Sequence, residues 1–170
     1  MRKNINNQNG FSLVELIVVI SIIAVFVGIS VNVYRNSVNE RRFQEDIELV
    51  TSIVHQTRGR AMARDISPDS GAFQCRINFQ SYNLLIDPGT NSITQQIQCN
   101  GMVINLDSHV LEYSTITFPG ALTRLRFVYP VNLGINSSQT ISLRNETIGR
   151  CVDIDVPANG AVVINNQYSC

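Results

Sequence analysis

Gly10-Phe11-Ser12-Leu13-Val14-Glu15-Leu16-Ile17-Val18-Val19-Ile20 is the stretch on which the reading of this 170-residue chain turns. A short polar, basic leader ends in glycine, an aromatic residue follows, and an apolar run begins that carries one carboxylate near its start. From Leu16 to Tyr34 no residue is charged. At about 1.5 Å per residue this run makes a helix roughly 28 Å long, close to the ~30 Å hydrocarbon thickness of a bilayer. Branched residues dominate (Ile17, Val18, Val19, Ile20, Ile22, Ile23), and a helix apolar on every side must be surrounded by lipid or by other helices. The competing reading, a core helix of a soluble domain, needs enough apolar chain to wrap it, and no other segment is as apolar.

The leader sets orientation. Arg2 and Lys3 precede the run with no acid among the first fourteen residues, so the positive-inside tendency keeps the N-terminus cytoplasmic and sends the rest of the chain across the membrane. A secretory signal would place a small-residue cleavage site after the apolar region. No such site follows before Arg35; the glycine lies ahead of the run instead.

In this order of leader, Gly10–Phe11 junction, glutamate at Glu15 and long apolar helix, the chain resembles type IV pilins and the pseudopilins of type II secretion and DNA-uptake machines. The resemblance covers about the first third of the chain, and its GspH/FimT-like minor pilins match the general layout beyond. It implies that a prepilin peptidase cuts between Gly10 and Phe11 and methylates the new amine of Phe11. It also implies partners: other pilin or pseudopilin subunits, an inner-membrane platform and an assembly ATPase, with membrane lipid as the environment before assembly.

Glu15 carries the sharpest expectation. A carboxylate within an apolar helix costs about 2.5–3.5 kcal/mol on insertion scales and so seeks a partner. The nearest mature cation is the Phe11 ammonium, four residues back on the same helix face, and the family resemblance implies pairing with that amine on a neighbouring subunit. The alternative is a hydrated Glu15 at the interfacial end of the helix. Where many family members carry glycine and proline, this chain has Ala24 and Asn32. Gly28, Ser30 and Asn32 are the weaker helix formers that remain.

Thirteen basic and thirteen acidic residues balance, and removal of Arg2 and Lys3 leaves eleven against thirteen. The totals show no basic footprint for nucleic acid. Cys75, Cys99, Cys151 and Cys170 all fall in the translocated part, without C-x-x-C spacing, so an oxidising exterior favours two disulfides over a metal site. Three connectivities exist; Cys75–Cys99 with Cys151–Cys170 is favoured because each could join neighbouring strands, with free buried thiols as the alternative. Cys170 is the last residue of the sequence, and a bond there would tie down a fraying tail.

Behind Tyr34 the helical pattern continues but turns amphipathic. Phe43, Ile47, Val50, Val54, Thr57 and Ala61 draw one apolar stripe, with Glu40, Arg41, Arg42, Glu45, Asp46 and Glu48 on the rest. No proline occurs from Phe11 to Ile66, which predicts one helix ending near Arg64-Asp65. Strands are expected at Phe73–Phe79, Tyr82–Ile86, Ile93–Gln98, Met102–Leu106, Val110–Phe118, Leu122–Tyr129, Thr140–Arg144, Cys151–Val156 and Ala161–Asn165, with turns at Asp87-Pro88-Gly89-Thr90, Asn100-Gly101, Pro119-Gly120 and Pro157 to Gly160. The fold class is α+β: a long N-terminal transmembrane and assembly helix packed on a mostly antiparallel β-sheet domain. The divisions are a cleaved leader over 1–10, a membrane and filament-core helix over 11–34, an amphipathic half over 35–66 and a β-rich domain over 67–170.

Catalytic chemistry is not legible. His55 and His109 have no ligand spacing around them, and no phosphate loop, nucleophile elbow or metalloprotease motif occurs; neither enzyme activity, metal nor cofactor is expected. The sequons at Asn136 and Asn145 fit exposed loops. The expected function is a structural subunit of a type IV pilus or a type II pseudopilus, inserted in the cytoplasmic membrane and then moved into a filament. Two other readings stand beside it. One is a DNA-binding minor pilin, for which Arg124, Arg126, Arg144 and Arg150 are the candidate phosphate contacts. The other is an uncleaved single-pass membrane protein with an external binding domain.

Overall fold

The computed structural model describes residues 12–63, 75, 78–117, 123–128, 138–157 and 161–170. A single helix, α1, runs from Leu13 to Ala63. It opens where Leu16 N–H donates to the Ser12 carbonyl at 3.2 Å and carries an acid, Glu15, in its first turn and a base, Arg60, in its last, each suited to the helix dipole. Ser21 and Ser30 donate to the carbonyls of Ile17 and Phe26, both at 2.8 Å, so both serines of the apolar run are satisfied within their own helix. The helix is unbroken through Gly28–Asn32. Its expected end at Arg64-Asp65 lies outside the described residues.

The chain divides into two compact units, 1–38 and 39–170. In the first, the described part is helix alone after Ser12, and the helix is long and apolar enough to cross a membrane. Its large apolar side chains, Leu13 through Tyr34, are 43–73% exposed.

The second unit holds the rest of α1 and two antiparallel sheets. Strands β1 (Phe79–Asp87), β2 (Ser92–Cys99), β3 (Met102–Val110) and β5 (Thr123–Val128) form the first sheet in the order β3-β2-β1-β5. The second places β4 (Thr115–Thr117), β6 (Gln139–Asn145) and β7 (Arg150–Val156) side by side, with β8 (Val163–Ile164) and β9 (Tyr168–Ser169) both pairing with β7. The stripe foreseen on α1 is the one that is buried: Phe43, Ile47, Val50, Val54, Thr57 and Ala61 are all at most 5% exposed. Thr57 is tolerated there because its hydroxyl donates to the Ile53 carbonyl at 2.7 Å. Tyr82, Leu84 and Ile86 of β1, Ile93 and Ile97 of β2, Leu125 and Phe127 of β5, Ile141 and Leu143 of β6, and Val152, Ile154 and Val156 of β7 complete one core. This is the expected α+β arrangement, a long helix packed on antiparallel sheets.

Asn100-Gly101 makes the tight turn between β2 and β3 with φ of 45° and 80°, the pair of left-handed conformations that a type I′ hairpin demands. Asp87 organises the turn before β2 by accepting from Gly89 N–H at 2.9 Å and from the Thr90 hydroxyl at 2.8 Å. Three expectations need correction. The strand predicted over Val110–Phe118 is broken: β3 ends at Val110, residues 111–114 are irregular and only Thr115–Thr117 pair again. Asp46, assigned to the polar side of the helix, is 5% exposed. Asn145, assigned to an exposed loop, is 3% exposed. All three departures have one cause, described below. Most of the strand predicted over Phe73–Phe79 lies outside the described residues, as do Pro119-Gly120 and Asn136.

Candidate functional site

The start of α1 is built by a local motif. Ser12 sits just before the helix, and its backbone N–H donates to Glu15 Oε2 at 3.4 Å. Serine followed three residues later by glutamate is the capping-box pattern, in which the glutamate reaches back to the exposed amide of the cap. The carboxylate therefore has a local role at the helix start, where the dipole also favours negative charge. The pattern Ser12-Leu13-Val14-Glu15 is a capping-box signal legible in the sequence itself, beside the expectation of a cation partner for Glu15. Gly10 and Phe11, the expected processing and pairing residues, lie outside the described residues.

In the second unit, the irregular segment Leu111–Ser114 is where helix and sheets meet. Asn91, in the turn before β2 with φ of 53°, donates from Nδ2 to the carbonyls of Leu111 (2.7 Å) and Ser114. It also accepts Ile116 N–H on Oδ1 at 2.8 Å, and its own carbonyl takes Leu111 N–H at 3.0 Å. Asn145 at the end of β6 donates to the Tyr113 carbonyl at 2.8 Å and accepts Thr147 and Ile148 N–H at 3.0 and 3.2 Å. Asp46 of α1 accepts Tyr113 N–H at 3.2 Å, and the Arg42 guanidinium lies 4.9 Å from the Tyr113 ring centroid. Three short polar side chains from three elements thus replace the ladder partners that Leu111–Ser114 lacks, as buried backbone groups require.

Burial pushes the Asp46 pKa above its ordinary value, against hydrogen bonds from Ser114 and Tyr113 that pull it down, and the charge of Glu112 adds to the rise. A second polar linkage sits further along the helix. Arg60 donates to Gln95 Oε1 at 2.8 Å and pairs with Asp107 at 3.3 Å, while the buried Gln95 donates to Gln56 at 3.0 Å.

The four cysteines form Cys75–Cys99 and Cys151–Cys170, with Cα atoms 5.3 and 5.4 Å apart. The four arginines considered for phosphate contact are divided. Arg124 and Arg126 share one face of β5, opposite Leu85 and Asn83 of β1, and Arg126 Nε is committed to Ser81 Oγ at 3.1 Å. Arg144 and Arg150 belong to the other sheet. Arg144 is the cross-strand partner of Cys151 and Arg150 that of Asn145, and the strand alternation sends them to opposite faces. Asp153 and Asp155 are engaged by Ser142 and Tyr168, and by Thr140 and Asn165 respectively.

An apolar helix long enough to cross a membrane, with a capped glutamate in its first turn, thus continues into an α+β unit. Residues 5–31 match the family description "Prokaryotic N-terminal methylation motif". That match, confined to the head of the chain, supports a type IV pilin-like precursor carrying the signal for cleavage and methylation. No curated protein and no solved structure matches the chain.

Proposed function

We propose that the chain is a subunit of a type IV pilus or type II pseudopilus, freed by cleavage between Gly10 and Phe11 and methylated at Phe11. The observation that carries the reading is Glu15: one acid at the head of an otherwise uncharged, outward-facing apolar helix, within a segment that matches the methylation motif. Before assembly the run Leu16–Tyr34 sits in lipid with the β-rich unit outside. Assembly exchanges lipid for the helices of neighbouring subunits. Both surroundings are apolar, so the exchange itself gives little specificity, and packing plus the single charge must supply it. Glu15 then meets the methylated Phe11 amine of a neighbour. A platform protein and an ATPase supply the work of extraction.

Two measurements test this. Mass spectrometry of the native protein should find a chain that begins at N-methylated Phe11; an intact leader would leave a tethered external domain instead. The variant Glu15→Ala should still be cleaved and inserted yet be missing from sheared filaments, and normal incorporation would exclude the charge pair.

A further inference from the structure

The two disulfides differ in access. Cys75 and Cys99 are 0% and 1% exposed, sealed in the core, whereas Cys151 is 9% exposed and Cys170 is on the surface. What the second bond fastens is a strap, residues 161–170, laid along β7 through the two-residue strands β8 and β9. Its remaining ties are polar. Asn165 N–H donates to the Asp153 carbonyl at 2.9 Å and Cys170 N–H to the Gly149 carbonyl at 3.2 Å. Asn165 Nδ2 reaches Asp155 at 2.8 Å and the Tyr168 hydroxyl reaches Asp153 at 3.2 Å. Val163, Ile164 and Tyr168 are 45–50% exposed, and Val162 packs against the core only in part. Little apolar burial opposes release, and solvent-accessible hydrogen bonds open easily.

The surroundings of Cys151 favour its departure as a thiolate. Arg144 is its cross-strand partner on the same face, and Asp153, which shares that face two residues along β7, is taken up by the Ser142 and Tyr168 hydroxyls. A neighbouring guanidinium lowers a thiol pKa, and the better leaving thiolate is released faster.

We propose that Cys151–Cys170 is a site of reductive cleavage by an external dithiol, which frees the strap 161–170 from β7 and leaves Cys75–Cys99 and the rest of the unit intact. One thiolate of the reductant attacks the exposed Cys170 sulfur, forming a mixed disulfide and expelling the Cys151 thiolate beside Arg144. The second thiolate of the reductant then attacks its own sulfur in the mixed disulfide and releases the Cys170 thiolate. The dithiol leaves as a cyclic disulfide after giving two electrons, and both cysteine thiolates take protons from water.

The test uses the full chain in dodecyl maltoside micelles, treated with limiting dithiothreitol, alkylated with iodoacetamide and mapped by peptide mass spectrometry alongside hydrogen exchange. Label should reach Cys151 and Cys170 while Cys75–Cys99 stays joined, and amides of 161–170 should exchange at least about tenfold faster while β6 and β1 do not change. Labelling of all four cysteines together, or of Cys75 and Cys99 first, would overturn the proposal, as would a cleaved strap that keeps its protection. Arg144→Gln should slow cleavage of Cys151–Cys170 about threefold or more without altering Cys75–Cys99; an unchanged rate would remove Arg144 from the step. Cys170→Ser should loosen the strap with no reductant present.

Discussion

The two halves of α1 share one continuous backbone and have opposite surroundings. From Leu13 to Tyr34 the large side chains have no partner within the described chain and stand in the open, whereas from Phe43 to Ala61 every member of the stripe is covered. Helix propensity does not explain the contrast: the β-branched first half is the weaker helix former, yet both halves are helical. What separates them is where the complementary surface resides: outside the described residues for the first half and in the chain's own sheets for the second. The packing of the second half is intrinsic to its unit, and lipid or neighbouring subunits would cover the first half on the reading proposed above.

The widest contrast should come from a pair of truncations. Phe43→Ala, in the covered half, should cost about 3–5 kcal/mol in urea unfolding of the β-rich unit, whereas Phe26→Ala should alter that transition by less than about 0.5 kcal/mol. Equal effects would erase the distinction between the halves. Next in size is Asn91→Asp, which keeps an acceptor for Ile116 N–H but loses both donors to the Leu111 and Ser114 carbonyls. At roughly 1–3 kcal/mol for each buried group left unpaired, it should cost about 3 kcal/mol by thermal or urea unfolding. A tolerated substitution would show that water serves those carbonyls.

Asp46 sharpens the comparison through pH. Its folded pKa is raised above the ordinary 3.8 by burial, so the folded state holds the proton more tightly than the unfolded state does. Its contribution therefore becomes more favourable as pH falls from above the folded value towards 3.8. Asp87 and Asp155 act with the opposite sign. Both are lowered, by hydrogen bonds from Thr90 and Gly89 in one case and from Thr140 and Asn165 in the other, and the stability they give is lost as pH falls through their folded values. Asp46→Asn should leave neutral-pH stability equal or higher and steepen acid unfolding, because the opposing contribution of Asp46 is gone. Asp46→Leu, which orphans Tyr113 N–H, should cost about 1–3 kcal/mol. Among the changes within the β-rich unit, the smallest is expected at Arg60→Met. Its ion pair is partly exposed, 27% at Arg60 and 53% at Asp107, and such pairs contribute about 0–1 kcal/mol. A loss well above that would assign the linkage mainly to the buried Gln95.

Periodicity made the helix and its stripe readable, because burial on one side leaves apolar residues three and four apart. The hairpins were readable where turn chemistry is explicit, as at Asn100-Gly101. What was hidden is the cluster around Leu111–Ser114. Val110 to Phe118 has strand-like composition, and nothing local reveals that Asn91, Asp46 and Asn145 approach from sites far off in sequence to take over its backbone groups. The same long-range contact turned Asp46 and Asn145 from surface residues into interior ones. It also removes Asn145 as an acceptor for glycans, since its amide nitrogen is buried and committed to the Tyr113 carbonyl. At the other end of the chain the Ser12–Glu15 bond is local and follows from spacing alone, because serine three residues ahead of glutamate at a helix start is a capping box.

That bond bears on how a subunit can be recruited. On the reading proposed above, a neighbour's amine would reach a carboxylate that the chain's own Ser12 amide already holds in place, so recruitment would exchange one partner for another instead of capturing a loose side chain. Replacing Ser12 with proline removes that N–H, and Ser12→Ala, which keeps the N–H and loses only the hydroxyl, is its control. The proline variant should be inserted normally and be cleared from the membrane faster than the parent, as pulse-chase labelling would record.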